Sequence, residues 1–232
     1  MRFKDSPPTK EAPAAVGVCA MPHGAATPES NCLVSAADYD GFNRLSAARK
    51  VRLQQDVIRR FHAALPQIRA WIDQFIESHA ARAHRLDHML PLASVFPAEV
   101  LESARMVLVD RTPFPPVSEF GLPEFAAHEQ RPFDGITFKN TFFVVNGHQT
   151  PRLQFHELVH VVQWSRLGAD RFLLAYGLGL LQFGYERSPL ERMAYTLEEQ
   201  FAQGQTPGNL VNVIEQGVDL IWNQAAPIVG EP

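Results

Sequence analysis

The sequence predicts an α+β fold that is mostly helical, with a small sheet beside one of its late helices. Apolar residues recur at helical spacing near residue 60 and again near residue 215. Two short β-rich runs flank Lys139-Asn140. With 232 residues, of which 46% are hydrophobic, the chain is long enough to bury a core without disulfides.

The N-terminal 44 residues differ in composition from the rest. They are rich in Pro, Ala, Ser and Gly and show no hydrophobic period, which predicts a disordered or loosely attached arm. Both cysteines, Cys19 and Cys32, lie there, and two cysteines make neither a disulfide framework nor a cysteine-based zinc site. We expect one domain over 45–232, in which helices at 45–105 precede strands and loops at 106–147 and further helices at 148–232.

The first two parts of this domain contain helices and then strands. Ser46 is a plausible N-cap for a helix that Pro66 interrupts or kinks, and an amphipathic stripe then continues to His79. A short helix is expected over 97–105 and a strand over 106–110. Residues 136–138 and 141–145 read as a hairpin turning at Lys139-Asn140.

Residues typical of helix starts and ends predict four helices in the last part of the chain. Thr150-Pro151 opens the first segment, and Gly168 ends it after Leu167. The other expected helices run from an Asp170 cap to about Gly184, from Ser188-Pro189 to about Ala202, and over 210–222.

Charge and hydropathy exclude several classes of protein. The formal net charge of −4 argues against a nucleic-acid binder that works through bulk positive charge. No apolar run approaches the roughly 20 residues of a membrane-spanning helix, and no apolar segment follows the basic N-terminus as in a secretory signal. A cytoplasmic setting is the default expectation, and the sequence says nothing about oligomeric state.

One helix carries the sequence His156-Glu157-Leu158-Val159-His160, an H-E-x-x-H motif. Residues four apart share a helical face, so both imidazoles can reach one Zn²⁺ ion. Glu157 would lie beside the metal and accept a proton from a water that the metal activates. The motif follows the strand at 141–145 after a short turn, as in zincin peptidases, where a strand aligns the substrate backbone.

A catalytic zinc site needs a third protein ligand. The metzincin continuation would place Gly at 163 and His at 166, but the chain has Gln163 and Arg166. A glutamate from a later helix is the alternative, and the candidates are Glu186, Glu191, Glu198 and Glu199. Ser188-x-x-Glu191 also reads as a capping box, in which Glu191 would cap its own helix.

The block from Gly135 to Tyr195 resembles small bacterial proteins of the gluzincin type, related to short HExxH domains of secretion-system and toxin proteins. The resemblance implies that Glu191 is the third zinc ligand. Glu198 lies seven residues later on the same face and is the reserve candidate. It rests on Gly135-Ile136-Thr137, the segment His156 to Trp164, Arg166-Leu167-Gly168, Gly184-Tyr185, Pro189-Leu190-Glu191 and Ala194-Tyr195.

The chain departs from thermolysin-like enzymes around Glu191. Those enzymes carry Asn-Glu-x-x-Ser-Asp there, and the Asp supports a histidine ligand. Here Leu190 precedes the glutamate and Tyr195 stands four residues after it, so the sequence identifies no carboxylate that supports His156 or His160.

These observations predict a zincin-like zinc metallopeptidase that acts on a peptide or protein substrate. Zn²⁺ would be held by His156, His160 and Glu191, with Glu157 as the general base. Tyr176, Tyr185 and Tyr195 could donate to the developing oxyanion, and Tyr195 is favoured because it is one turn from Glu191. The alternative is a non-catalytic zinc-binding interaction domain with a degenerate peptidase fold.

Overall fold

The structure is a computed structural model that describes residues 47–86 and 90–232. The predicted arm at 1–44 and the Ser46 cap lie outside the described residues. The helices are α1 (Ala47–His79), α2 (Leu90–Ala93), α3 (Ala98–Ser103), α4 (Ala126–Glu129), α5 (Pro151–Phe183), α6 (Pro189–Ala202) and α7 (Leu210–Val229), and the strands are β1 (Arg105–Val109), β2 (Gly135–Phe138) and β3 (Thr141–Val145). The fold is therefore mostly helical with one small sheet, as predicted.

Helix α1 is continuous through Pro66, so the predicted interruption is wrong, while the alternative of a kink stays a prediction. Proline in a helix removes one backbone hydrogen bond at a cost of about 3 kcal/mol. Pro66 lies on the exposed side of α1, where water can bond the carbonyl group left without a partner. Leu65, Ile68 and Ile72 are buried on the opposite side, and this packing holds the helix together.

The sheet has the strand order β1-β3-β2, with β1 parallel and β2 antiparallel to β3. The predicted hairpin is present, and Lys139 adopts the left-handed conformation (φ 57°) in its turn. Because β3 pairs with a strand on each side, it has no free edge along which to align a substrate. The expectation that 141–145 plays this role is therefore wrong, and among the described strands β2 is the one at the edge beside α5.

Helix α5 begins as its sequence predicts. Thr150 stands at the N-cap, and its hydroxyl accepts a hydrogen bond from the backbone N–H of Leu153 at 3.2 Å. Gly168 interrupts the helix with φ 70° and ψ 172°, a conformation that favours glycine, so α5 is two helices joined at a kink. The predicted cap at Asp170 is wrong, because its carboxylate instead accepts from Arg69 of α1 at 2.9 Å.

The kink positions the remaining elements around α5. Helices α6 and α7 make their most extensive contacts with α5, and β2 packs against its first half. The second half contains the apolar run 172–180, whose residues are largely buried as expected of an internal helix. Among the described helices none combines the length and the hydropathy needed to cross a membrane.

Candidate metal centre

Three side chains that the sequence singled out meet in the interior. His156 and His160 lie on one face of α5, and Glu191 reaches them from the first turn of α6. Their exposed fractions are 4%, 5% and 2%, and one ligand atom from each lies within 4.8 Å of the others. The described residues thus contain a buried His/His/Glu group that could hold a metal ion.

The capping-box interpretation of Glu191 is wrong. Ser188 stands at the N-cap of α6, but its hydroxyl makes no capping hydrogen bond and is buried without a partner. The Glu191 carboxylate points to the histidines instead, with Oε2 3.4 Å from Nε2 of His156 and Oε1 3.6 Å from Nε2 of His160. The Glu191 carboxylate therefore faces the histidines of α5 and does not cap its own helix.

A second layer of hydrogen bonds orients both imidazoles. Nδ1 of His156 donates to Oε2 of Glu198 at 2.9 Å, and Nδ1 of His160 donates to Oε1 of Gln163 at 2.8 Å. The amide of Gln163 is oriented in turn, since its Nε2 donates to the backbone carbonyl of Leu190 at 3.0 Å. With both Nδ1 atoms occupied, the two Nε2 atoms face each other 3.1 Å apart, so both could offer a lone pair to a metal ion that takes the place of a proton.

These contacts correct the sequence reasoning on two points. Glu198, the reserve metal ligand, accepts a hydrogen bond from Nδ1 of His156. It does not belong to the group formed by His156, His160 and Glu191. It is also the histidine-supporting carboxylate that the sequence analysis did not identify, seven residues after Glu191. Gln163 was treated only as a mismatch to the metzincin pattern, although its spacing of three residues from His160 would have placed it beside that ring.

The carboxylate of Glu191 is engaged on one oxygen. Tyr176 donates from its hydroxyl to Oε1 at 2.6 Å, whereas Oε2 is buried and has no hydrogen-bond partner. A buried carboxylate oxygen without a donor is costly unless a cation accompanies it. Tyr176 therefore orients the Glu191 carboxylate, which differs from the oxyanion role considered for it from the sequence.

The electrostatics of the three side chains favour a positive charge among them. Burial alone would lower the pKa of His156, but the nearby carboxylates of Glu191 and Glu198 outweigh burial and raise this pKa to about 10. Burial alone would raise the pKa of Glu191, but its close contacts with His160 and His156 hold it well below its usual range. In the metal-free chain a proton on His156 thus supplies the positive charge that the carboxylates require.

Glu157 lies beside this group rather than in it. It is 3% exposed, and its Oε2 accepts a hydrogen bond of 2.6 Å from Thr137 of β2. Burial raises the pKa of Glu157, while the neighbouring histidines and Thr137 lower it. Gly135 makes room for the carboxylate, since a Cβ atom at that position would come within 2.3 Å of Oε1.

The site separates two spaces of different character. An open cleft of about 550 Å³ is lined largely by polar residues that include Arg131, Asp134 and Glu198. An inner cavity of about 90 Å³ lies against apolar residues of α1 and α5. The two spaces share Phe133, Gly135, His156, Glu157 and Tyr185 as lining residues, so the candidate metal site lies between them.

Two further tyrosines lie at the cleft. The ring of Tyr195 packs against His156 with centroids 4.6 Å apart, and its hydroxyl lies 3.5 Å from the hydroxyl of Tyr185. Tyr185 lines both spaces, whereas Tyr195 lines the cleft only. Burial raises the pKa of both phenols, so both are neutral donors at physiological pH.

Comparison with known proteins returned no match to a family, to a curated protein or to a solved structure.

Proposed function

We propose that this protein is a zinc-dependent metallopeptidase. The observation that carries the proposal is the convergence of two histidine nitrogens and an otherwise unpartnered Glu191 oxygen on one buried point. The resemblance to gluzincin-type proteins, with Glu191 as third ligand, is consistent with this arrangement. Along the chain an edge strand is followed by the HExxH helix and then by a helix that bears a glutamate. This order of elements supports a zincin-like architecture.

The donor set and its spacing suit zinc. Two imidazoles and one carboxylate form the ligand set of thermolysin-type sites, and tetrahedral ligands about 2.0–2.1 Å from Zn²⁺ lie about 3.3 Å from one another. The two Nε2 atoms are 3.1 Å apart, and Oε2 of Glu191 lies 3.4 Å from Nε2 of His156. The other carboxylate oxygen, Oε1, lies 3.6 Å from Nε2 of His160. Bound Zn²⁺ would act as a Lewis acid on the scissile carbonyl and lower the pKa of a water molecule.

Glu157 is proposed as the general base. Its carboxylate lines both the cleft and the inner cavity, and burial raises its pKa toward the range useful for proton transfer. It would take the proton of the attacking water and deliver it to the leaving amine. Thr137 would keep the carboxylate in place by its hydrogen bond to Oε2.

The edge strand β2 is proposed to align the substrate backbone. The carbonyl of Asp134 accepts from the N–H of Val145, so alternation along the ladder turns the N–H and C=O groups of Gly135 and Thr137 away from β3. Trp164 donates to the carbonyl of Thr137 at 3.1 Å. Gly135 lines the cleft, where an extended peptide could pair with its backbone.

Tyr195 is proposed to stabilise the oxyanion. It lines the cleft on the side of His156, and its phenol is a neutral donor that substrate can approach because 43% of the residue is exposed. The neighbouring Tyr185 hydroxyl would limit the orientations of that donor.

The Glu157→Gln variant tests the proposal. It should retain one zinc ion per chain by elemental analysis and lose cleavage of a mixture of quenched fluorescent peptides with randomised positions. Glu199→Gln is the matched control, because the hydrogen bonds of the Glu199 side chain within the described residues go to Arg152 and Gln203. Unchanged cleavage in Glu157→Gln would rule out the catalytic role, and a metal-free protein purified without chelator would count against the zinc site.

A further inference from the structure

The inner cavity is lined mainly by apolar side chains, apart from the polar residues at the metal site. Its walls come from α1, the loop at 114–117 and α5, and they include Phe61, Ile68, Trp164, Phe172 and Leu180. Its polar lining comes from the three candidate metal ligands and Glu157, and from Thr137, Tyr176 and Tyr185. The mostly apolar lining favours an apolar occupant.

The size of the cavity limits what it can hold. Its volume of about 90 Å³ is smaller than the roughly 150 Å³ of an apolar cavity that binds benzene. The space suits a branched aliphatic group of three or four carbons and is too small for an aromatic ring or a long acyl chain. Because the cavity borders Glu157 and His156, such a group would lie close to the reacting bond.

Gly177 and Phe61 set the depth of the cavity. A Cβ atom at Gly177 would come within 2.4 Å of Cε2 of Phe61, so the absence of a side chain on α5 lets this ring lie against the helix. Phe61 is only 8% exposed and packs edge-on against Phe125 with centroids 5.6 Å apart. Its ring therefore cannot move without changing the shape of the cavity that it lines.

We infer that this cavity is a specificity pocket for the side chain of a Val, Leu or Ile residue next to the scissile peptide bond. The inference rests on the proposed function, since it assumes a peptide bound across the metal site. The cleft would hold the extended backbone, and the aliphatic side chain would enter the cavity where the two spaces meet, beside Phe133 and Tyr185. Gly177 and Phe61 are then specificity-determining residues.

Three hydroxamate probes that differ only in a methyl, isobutyl or benzyl side chain test the inference on the zinc-loaded protein. Their shared hydroxamate binds the metal, so their relative affinities report the pocket without requiring turnover. The isobutyl probe should bind at least about tenfold more tightly than the methyl probe, because it buries three more carbons, and more tightly than the benzyl probe, which does not fit.

Two variants locate the effect at this cavity. Gly177→Ala displaces the Phe61 ring and should reduce the isobutyl preference at least about fivefold while the methyl probe binds as before. Phe61→Leu should shift the preference toward benzyl and gives a second measurement should Gly177→Ala not fold. Gly208→Ala is the matched control, because a Cβ atom there meets nothing within 4 Å.

The possible outcomes separate the pocket from the proposed function. Equal affinities for the three probes, with binding still dependent on zinc, would overturn the pocket and leave the metallopeptidase proposal standing. If no probe binds the zinc-loaded protein, the proposed function fails and the pocket fails with it. An isobutyl preference that Gly177→Ala leaves intact would place the side chain elsewhere and overturn the inference.

Discussion

Glu198 accepts a hydrogen bond of 2.9 Å from Nδ1 of His156, although the two residues are 42 positions apart in the chain. The same carboxylate also pairs with Arg152, which lies one turn before His156 on α5. Burial alone would raise the pKa of Glu198, but His156 and Arg152 lower it and keep the group ionised. Glu198 thus fixes the orientation and the tautomer of a proposed metal ligand without touching the metal.

Replacing Glu198 by Ala should weaken zinc binding about 10- to 100-fold, because the His156 ring loses the acceptor that orients it. Competition with a chromogenic chelator measures the affinity. Glu199→Ala is a matched control, since Glu199 also pairs with Arg152 but has no contact with His156. Equal zinc affinities for the two variants would rule out the positioning role of Glu198.

Thr137→Val should move the acidic limb of the pH–activity profile to higher pH. The Thr137 hydroxyl donates to the ionised Glu157 and so lowers its pKa, which means that removing this donor raises the pKa. The base must be ionised to act, and activity would therefore be lost at a pH where the wild-type protein is still active. The measurement is kcat/KM against pH.

Thr141→Val is the control for this shift. Thr141 is also a buried threonine of the sheet, but its hydroxyl contacts Asn140 rather than the site. A profile for Thr137→Val that coincides with that of Thr141→Val would show that Thr137 does not tune the general base.

Tyr195→Phe should impair catalysis, whereas Tyr176→Phe should impair zinc binding. Loss of the Tyr195 hydroxyl should lower kcat at least about tenfold with unchanged zinc affinity, as expected of an oxyanion donor. Loss of the Tyr176 hydroxyl removes the donor to Oε1 of Glu191 and should weaken zinc binding about tenfold. Kinetics on zinc-saturated protein and chelator competition separate the two, and a wild-type kcat for Tyr195→Phe would exclude its proposed role.

Without metal, the free energy of unfolding should fall as pH rises from 6.5 to 10. The pKa of His156 is about 10 in the folded chain against 6.5 for a free imidazole, so its stabilising proton is fully present below pH 6.5 and is lost toward pH 10. The raised pKa of buried Glu157 acts in the same direction above pH 4.5. The lowered pKa of Glu191 changes the free energy of unfolding only below about pH 4.5, which lies outside this range.

Urea unfolding of chelator-treated protein at pH 6.5, 8 and 10 measures this decline. Zinc-saturated protein is the comparison, because the metal replaces the proton between His156 and Glu191 and should remove most of the pH dependence. A metal-free stability that stays constant or increases over this range would contradict the proposed charge balance.

Much of the fold followed from local patterns in the sequence. The cap at Thr150, the break at Gly168 and the hairpin at Lys139-Asn140 were all predicted, because a few neighbouring residues determine such features through backbone geometry. The predicted interruption at Pro66 and the predicted cap at Asp170 failed where tertiary contacts outweighed the local signal. Buried packing keeps α1 continuous, and Arg69 binds the carboxylate that was expected to cap a helix.

The candidate metal site, like the fold, depends partly on local sequence patterns and partly on tertiary contacts. The sequence by itself determined that His156 and His160 share one helical face with Glu157 beside them, because the helical repeat is a local property. Only the tertiary structure decided between the two roles of Glu191, gave Glu198 its place behind His156, and put β2 rather than β3 at the edge of the sheet. These relationships join residues of separate elements, and side-chain packing decides them where spacing along the chain does not.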